Sequence, residues 1–317
     1  MRHIEKTRLT GTRGGWQKQR RRNGAQLTHR RTPIFERLED RWLLNGTTII
    51  THGWDSGVDK WVDDMANAIQ FQVPDVPGQD PPHLTAEYTL EILGTSPGNI
   101  TGHRLSPDHL IPTRSGEAVI LIDWSAIDTQ QESTLHVGHY VANLLFEWES
   151  DLHFLSGPVH LIGHSRGASV NTTIAQRLAE AEVWIDQFTT LDPHPVDGIR
   201  DPSIEFGEVG CTEDPCDFGD TPISLWDNVR FADNYWRTEG DDAKVDFTGE
   251  PVPGAFDVNL VEDTLESGGY PYFEHADVHL WYRGTIDTTT YSITDGHATR
   301  FEGAGWYVGD MGPRDHI

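Results

Sequence analysis

The chain has 317 residues, with 24 Lys+Arg against 50 Asp+Glu and a formal net charge of −26. Its longest unbroken apolar run is Ala118 to Ile122, far short of the roughly 20 residues a membrane-spanning helix needs. The 11 Trp, 12 Phe and 8 Tyr exclude a chain that stays disordered throughout, and two Cys exclude a disulfide framework or a thiolate zinc cage as the organising principle.

The charge is unevenly spread. Residues 1–45 carry 12 Lys+Arg and 4 Asp+Glu, whereas the remaining 272 carry 12 and 46. Such a division marks two physically different parts. Residues 1–45 are expected to form a basic, unstructured leader or targeting segment, and 46–317 a single α/β domain. The run Arg20, Arg21, Arg22 does not point to nucleic acid, because the acidic body would repel phosphates. A basic start with no apolar stretch of about 7–15 residues after it is not a standard secretory signal.

Along the body, short apolar runs alternate with helical periodicity, the pattern of a mostly parallel sheet with crossover helices. Thr47 to Thr51 is a β-branched strand that runs into His52-Gly53-Trp54. Trp61, Met65 and Ile69 recur at helical spacing over 58–70, and the Pro-rich stretch 73–82 ends that helix. Thr85 to Leu93 alternates as a strand, 94–116 reads as loop, and Ala118 to Ile122 is a buried strand closing on Asp123 and Trp124. Over 130–150, Val137, Val141, Leu144, Leu145 and Trp148 share one helical face. Pro158 to Ile162 is the next strand, Ala168 to Ala181 an amphipathic helix, and Phe188 to Leu191 a strand leading into Asp192-Pro193. The stretch 196–225 reads as irregular, Val229 to Tyr235 as a late strand and 276–286 as the last helix.

Gly163-His164-Ser165-Arg166-Gly167 fits G-x-S-x-G between an apolar strand and a helix, the setting a nucleophile elbow requires. A serine hydroxyl is a poor nucleophile, so it has to be held exposed at a tight turn beside a base, and side chains at the two glycines would collide with the neighbouring strand and helix. The competing reading is a helix-capping serine after a glycine turn. An orienting acid and a base should follow in the order Ser, Asp, His. Asp192 lies at the end of the next strand, where its carboxylate would hold an imidazole in one tautomer and stabilise the imidazolium; the alternative is a turn-forming Asp before Pro. His275 and His279 are both candidates for the base, one helical turn apart, and spacing alone does not separate them. His275 stands where loop gives way to helix, which suits a reaching base, and His194 ranks third. Acyl transfer also needs donors for a developing oxyanion. The backbone N–H groups of Trp54 and Arg166 are the candidates, with His52 and Gly53 as the supporting loop and His52 hydrogen-bonding within it.

Taken together, His52-Gly53-Trp54, then Asp123-Trp124-Ser125 after a strand, then the Ser165 motif and Leu191-Asp192-Pro193 resemble the animal neutral lipase superfamily. That group includes pancreatic lipase, lipoprotein lipase and phospholipase A1. The segment 50–69 is similar to their oxyanion loop and following helix. The helix from His275, with Trp281-Tyr282 in register, resembles the one that opens on their catalytic His, which favours His275 over His279. The resemblance spans about 46–286. It implies an α/β-hydrolase fold, a mostly parallel central sheet with helices on both faces, and cleavage of carboxylic esters through Ser165, Asp192 and His275. The chain departs from the family in several ways. No C-terminal lipid-binding β-sandwich is expected after the last helix, the two strands those lipases place before the HGW turn are expected to be absent or displaced into the leader, and Arg166 replaces a small or apolar residue. The cysteine-bracketed lid has no counterpart, and 73–116 or 196–270 are the candidates to cover the site.

Two rival functions remain: a catalytically silent surface or binding protein on this scaffold, and an acyltransferase or amidase using the same nucleophile. The expected partner is an ester or lipid small molecule, with neither nucleic acid nor a transmembrane segment. The chemistry requires no cofactor and no metal. The acidic stretches 201–220 and 240–263 lack a twelve-residue calcium-loop pattern and read as solvated charge, with structural calcium the open alternative. Phe35 to Leu44 resembles the leader of planctomycete surface and secreted proteins, which implies export to the cell surface or beyond. A local Cys211–Cys216 disulfide in an oxidising compartment stands beside two free thiols as an alternative.

Overall fold

The aliphatic and β-branched runs pair into one sheet in the computed structural model, which describes residues 46–72, 85–95, 98–111, 117–197, 217–237, 248–260 and 275–287. All of these lie within the compact unit Asp40–Ile317. In chain order the elements are β1 (Thr47–Thr51), a π-helical turn (Val58–Val62), α1 (Asp63–Gln72), β2 (Ala86–Gly94), β3 (Ile100–Ser106), β4 (Ala118–Asp123) and α2 (Thr134–Leu152). There follow β5 (Val159–His164), α3 (Arg166–Glu180), β6 (Gln187–Leu191), β7 (Ala232–Trp236), β8 (Phe256–Asn259) and α4 (Asp277–Ile286). The expected leader 1–45, Cys211 and Cys216, and most of the two acidic stretches lie outside the described residues.

The strands run in the order β3-β2-β4-β1-β5-β6-β7-β8. Every neighbouring pair is parallel except β2–β3. Because side chains alternate along a strand, adjacent residues of β1 feed two different cores. Ile49, in register with Ile120 and Leu161, packs under Val137, Val141 and Leu145 of α2 and Val170 and Ile174 of α3. Ile50, in register with Leu121 and Ile162, packs against Met65 and Ala66 of α1 and Val278 and Trp281 of α4. Both faces are therefore covered, as parallel sheets require. Each of these buried aliphatic side chains is worth about 1.5–3 kcal/mol. The arrangement is an α/β-hydrolase fold.

Local chemistry sets the helix limits. α2 starts at Thr134 rather than 130 because the Ser133 hydroxyl accepts from the Leu135 N–H at 3.2 Å. It stops where His153 turns left-handed (φ 56°) and donates its N–H to the Glu149 carbonyl. The helix expected from 58 opens instead with the π-helical turn before α1.

Two strands were not expected. β3 lies within 94–116, read above as loop, and β8 within 240–263, read as an acidic stretch. Both are edge strands, largely exposed, so neither carries a buried alternation that would mark it. The positions beyond β4 are filled by β2 and β3, which lie downstream of the HGW turn rather than upstream of it.

Candidate functional site

Register aligns the carboxyl ends of the central strands. Thr51 of β1 pairs with Gly163 of β5, and His164 of β5 pairs with Leu191 of β6. The next residues, His52, Ser165 and Asp192, therefore leave the sheet along one edge. β1 is flanked by β4 and β5, both later in the chain, and ligands of open α/β sheets bind outside such a switch point.

Ser165 takes φ 54° and ψ −130° between β5 and α3. A non-glycine residue there costs about 1–3 kcal/mol unless its surroundings hold it. Its N–H donates to the Leu191 carbonyl at 3.0 Å, and its carbonyl accepts from the Ala168 N–H at 3.1 Å. A Cβ at Gly163 would stand 2.6 Å from Ala168 Cα, and one at Gly167 would collide with the Thr51 carbonyl oxygen. The motif glycines thus allow α3 to leave the strand at this angle. The serine is not exposed as the motif alone suggests: it is 5% accessible. The Gly53 backbone lies against it, so close that a Cβ there would be 2.6 Å from Ser165 Cβ and 3.0 Å from Oγ.

His52 fixes that loop. The Trp124 N–H donates to its Nε2 at 3.2 Å, so the ring proton sits on Nδ1, which donates to the Gly53 carbonyl at 2.8 Å. The Trp124 indole N–H returns to the His52 carbonyl at 2.8 Å, and the two rings stack. In a trans peptide the N–H opposes the C=O, so tying back the Gly53 carbonyl turns the Trp54 N–H the other way. Asp128, pushed up to about 6 by burial, accepts from the Ser56 N–H at 3.1 Å in the same loop.

Arg166 heads α3, where backbone N–H groups have no intrahelical acceptor. Its side chain, 1% exposed, points into the protein. Nε and Nη2 each meet an Asp220 carboxylate oxygen at 2.7 Å, Nη1 donates to the Asp128 carbonyl at 2.7 Å and Nη2 to the Glu132 carbonyl at 2.5 Å. The guanidinium also lies over the Trp124 and Phe218 rings.

Asp192 is fully buried, with its N–H on the Tyr235 carbonyl at 2.7 Å. Its Oδ2 accepts from His275 Nδ1 at 2.6 Å, and its Oδ1 from the Arg237 N–H at 2.9 Å. The Arg237 Nε stands 3.1 Å from Oδ2. Burial raises the Asp192 carboxyl above its ordinary range, and Arg237 pulls it back. Burial, then Arg237, then His194 hold His275 well below the usual imidazole value, so its ring is neutral at neutral pH. His164 donates from Nε2 to the His275 carbonyl at 3.0 Å, and the two rings lie 4.4 Å apart between centroids. This places His275 against the residue that precedes Ser165.

The other two histidines sit differently. His279 stacks on Trp61 at 4.5 Å, and His194 donates from Nδ1 to the Thr248 carbonyl at 2.7 Å. Of the two candidate bases, Asp192 therefore meets His275, which stands two residues ahead of α4, rather than His279 within it. Asp220 and Arg237 were missed from sequence, since neither belongs to a local motif. Among the described residues no cluster of three or more His, Cys, Asp or Glu is disposed to hold a metal, and Asp220 is taken up by Arg166.

Comparison with known proteins bears on part of this site. A family model described as Lipase matches residues 111–205, a segment containing Ser165 and Asp192 but neither the HGW turn nor His275. No curated protein matches the chain. Among solved structures, a protein of Lactobacillus plantarum WCFS1 titled as a cell surface hydrolase is similar at 13% identity, covering 69% of this chain and 83% of its own, with a TM-score of 0.41. YbtT, a type II thioesterase from the yersiniabactin pathway, is similar at 11% identity, covering 71% and 89%, with a TM-score of 0.35. Likeness of this degree leaves the fold to rest on the strand order and register above. Residues 111–205 are lipase-like, and the sheet that carries them is that of an α/β-hydrolase.

Proposed function

We propose that the protein is a serine hydrolase that cleaves carboxylic esters through an acyl-enzyme. Ser165 Oγ attacks the acyl carbon, His275 Nε2 takes the hydroxyl proton and returns it to the leaving alcohol, and Asp192 holds His275 in the Nδ1–H tautomer. The tetrahedral oxyanion is stabilised by the Trp54 and Arg166 N–H groups. Water activated by the same imidazole then releases the acid. The observation that carries this reading is the 2.6 Å His275–Asp192 bond at the strand ends beside a serine strained at positive φ. A neutral imidazole on a buried carboxylate is the protonation state a general base needs.

The reading needs no cofactor, and the leader resemblance favours export. Its test is hydrolysis of p-nitrophenyl butyrate, with fluorophosphonate labelling of the same preparation. Wild-type protein should turn over and label at Ser165, while Ser165→Ala should do neither. Turnover undiminished in Ser165→Ala removes the assignment. A wild type that neither labels nor turns over is the silent binding scaffold instead.

A further inference from the structure

Besides the neutral His275, Asp192 has a cationic neighbour that ester hydrolysis by itself does not call for. Arg237 follows β7, is fully buried, and reaches the carboxylate on both oxygens: its N–H on Oδ1 at 2.9 Å, its Nε at 3.1 Å from Oδ2. Oδ2 is the oxygen that accepts from His275. A guanidinium does not deprotonate in a protein, so this positive charge is permanent. The carboxylate is boxed in on its other side, since a Cβ at Gly249 would collide with Oδ1. It therefore cannot swing away from either partner.

We propose that Arg237 is a positioning residue that sets the pH at which the Asp192–His275 pair takes up its proton, by sharing the Oδ2 atom with the imidazole. The inference rests on the hydrolase reading above. An imidazolium at His275 would gain from Asp192 only the attraction that Arg237 leaves over, and would sit near the guanidinium's like charge. The pair then stays unprotonated, and the base competent, to lower pH than an Asp–His pair alone. Among the described residues, the other ionisable groups around the pair are His164 on β5, His194 after β6, and Asp277 and His279 on α4. His164 is itself held well below its usual value by burial and His275, and His194 also disfavours charge on His275. Among the described residues, Arg237 is the permanent cation paired with the carboxylate.

The test is the pH dependence of kcat/KM for p-nitrophenyl butyrate in wild type, Arg237→Lys and Arg237→Gln, with the phosphonate labelling rate followed over the same range. The wild-type acid limb should fall below about 6.5, the ordinary imidazole value. Arg237→Gln should move it up by about one pH unit or more, the size of shift a charge within 4–6 Å produces. At a pH below both limbs, that is about a tenfold further loss of rate. Arg237→Lys, which keeps the charge, should stay near wild type. Arg237→Met fills similar space without charge and serves if the Gln variant does not fold. An acid limb unmoved in a folded, uncharged variant makes Arg237 merely structural and overturns the inference. So does a wild-type limb above 6.5. If Ser165→Ala hydrolyses as wild type does, the hydrolase reading falls first, whereas an inactive Ser165→Ala with an unmoved limb sinks only the role given to Arg237.

Discussion

Asp220→Ala strips the Arg166 guanidinium of two carboxylate contacts at 2.7 Å. It also removes the acceptor of the Thr134 N–H (3.2 Å) and the Val196 N–H (2.9 Å). Arg166 is 1% and Asp220 4% exposed, so water does not replace what is lost. Removing one partner of a buried pair costs about 3–5 kcal/mol, and each buried amide left unsatisfied about 1–3 kcal/mol more. Against this, the Asp128 and Glu132 carbonyls and the Trp124 and Phe218 rings still hold the cation. The low end of these costs, about 5 kcal/mol, is therefore expected, which in a unit of this size lowers Tm by roughly 10–20 °C. Arg166→Met removes the charge itself, so the double variant should be less destabilised than the sum of the singles by at least about 1.5 kcal/mol. Urea denaturation of the four proteins at neutral pH measures this coupling. Free energies that add within about 0.5 kcal/mol, or an Asp220→Ala loss below about 1 kcal/mol, would refute a buried, energetically coupled pair.

Gly53→Ala places a methyl 2.6 Å from Ser165 Cβ and pushes the HGW turn off the serine. Displacements approaching 1 Å cost about a hundredfold, so kcat/KM for p-nitrophenyl butyrate should fall by about that factor while Tm shifts by only a few degrees. His279→Phe keeps the stack on Trp61 and should leave turnover within about twofold, while His275→Ala should lower it by at least a thousandfold; the reverse ranking in steady-state assays would exchange their roles. Glu117 is pushed up to about 7 by burial, offset in part by the Gly46 N–H at 3.0 Å. Its folded value exceeds the unfolded one, so the buried charge costs stability above pH 7 and less as pH falls towards about 4. Glu117→Gln should therefore be more stable than wild type at pH 8, by up to about 3 kcal/mol, with the gain shrinking to little by pH 4.5 in thermal melts.

What the sequence made legible divides by the range of the interaction. β1, β4 and β5 are short runs built around aliphatic and β-branched residues because a parallel strand is buried on both faces, and α2 repeats its apolar residues at 3.6. Those signals are written within a dozen residues. The G-x-S-x-G turn is local as well: its glycines answer to Ala168 and Thr51, atoms that any strand–turn–helix of this geometry brings close. β3 and β8 escaped because an edge strand is specified by its neighbour's hydrogen bonds and needs no apolar alternation of its own. The exposure of Ser165 was misjudged for a related reason. Tight turns usually stand out from a sheet, but here a loop 112 residues earlier in the chain, Gly53, folds over it.

The two arginines show where local reading stops. Arg166 looked like a departure from a small or apolar residue, since a charge after the nucleophile should cost desolvation energy in a site that excludes water. The cost is met 54 residues on, by Asp220, and by the carbonyls of Asp128 and Glu132. Taken singly, Asp220 belongs to an acidic stretch that reads as solvated charge, and nothing local to Arg166 points to it. The same holds for Arg237, 45 residues after Asp192. An unpaired guanidinium or carboxylate is intolerable in this interior, and the pair is not. Partnership therefore decides burial for charged groups, as hydropathy decides it for Ile49 or Leu161. The elements can be read from the chain one window at a time, but the electrostatics of the candidate base depend on which charged residues meet at the strand ends.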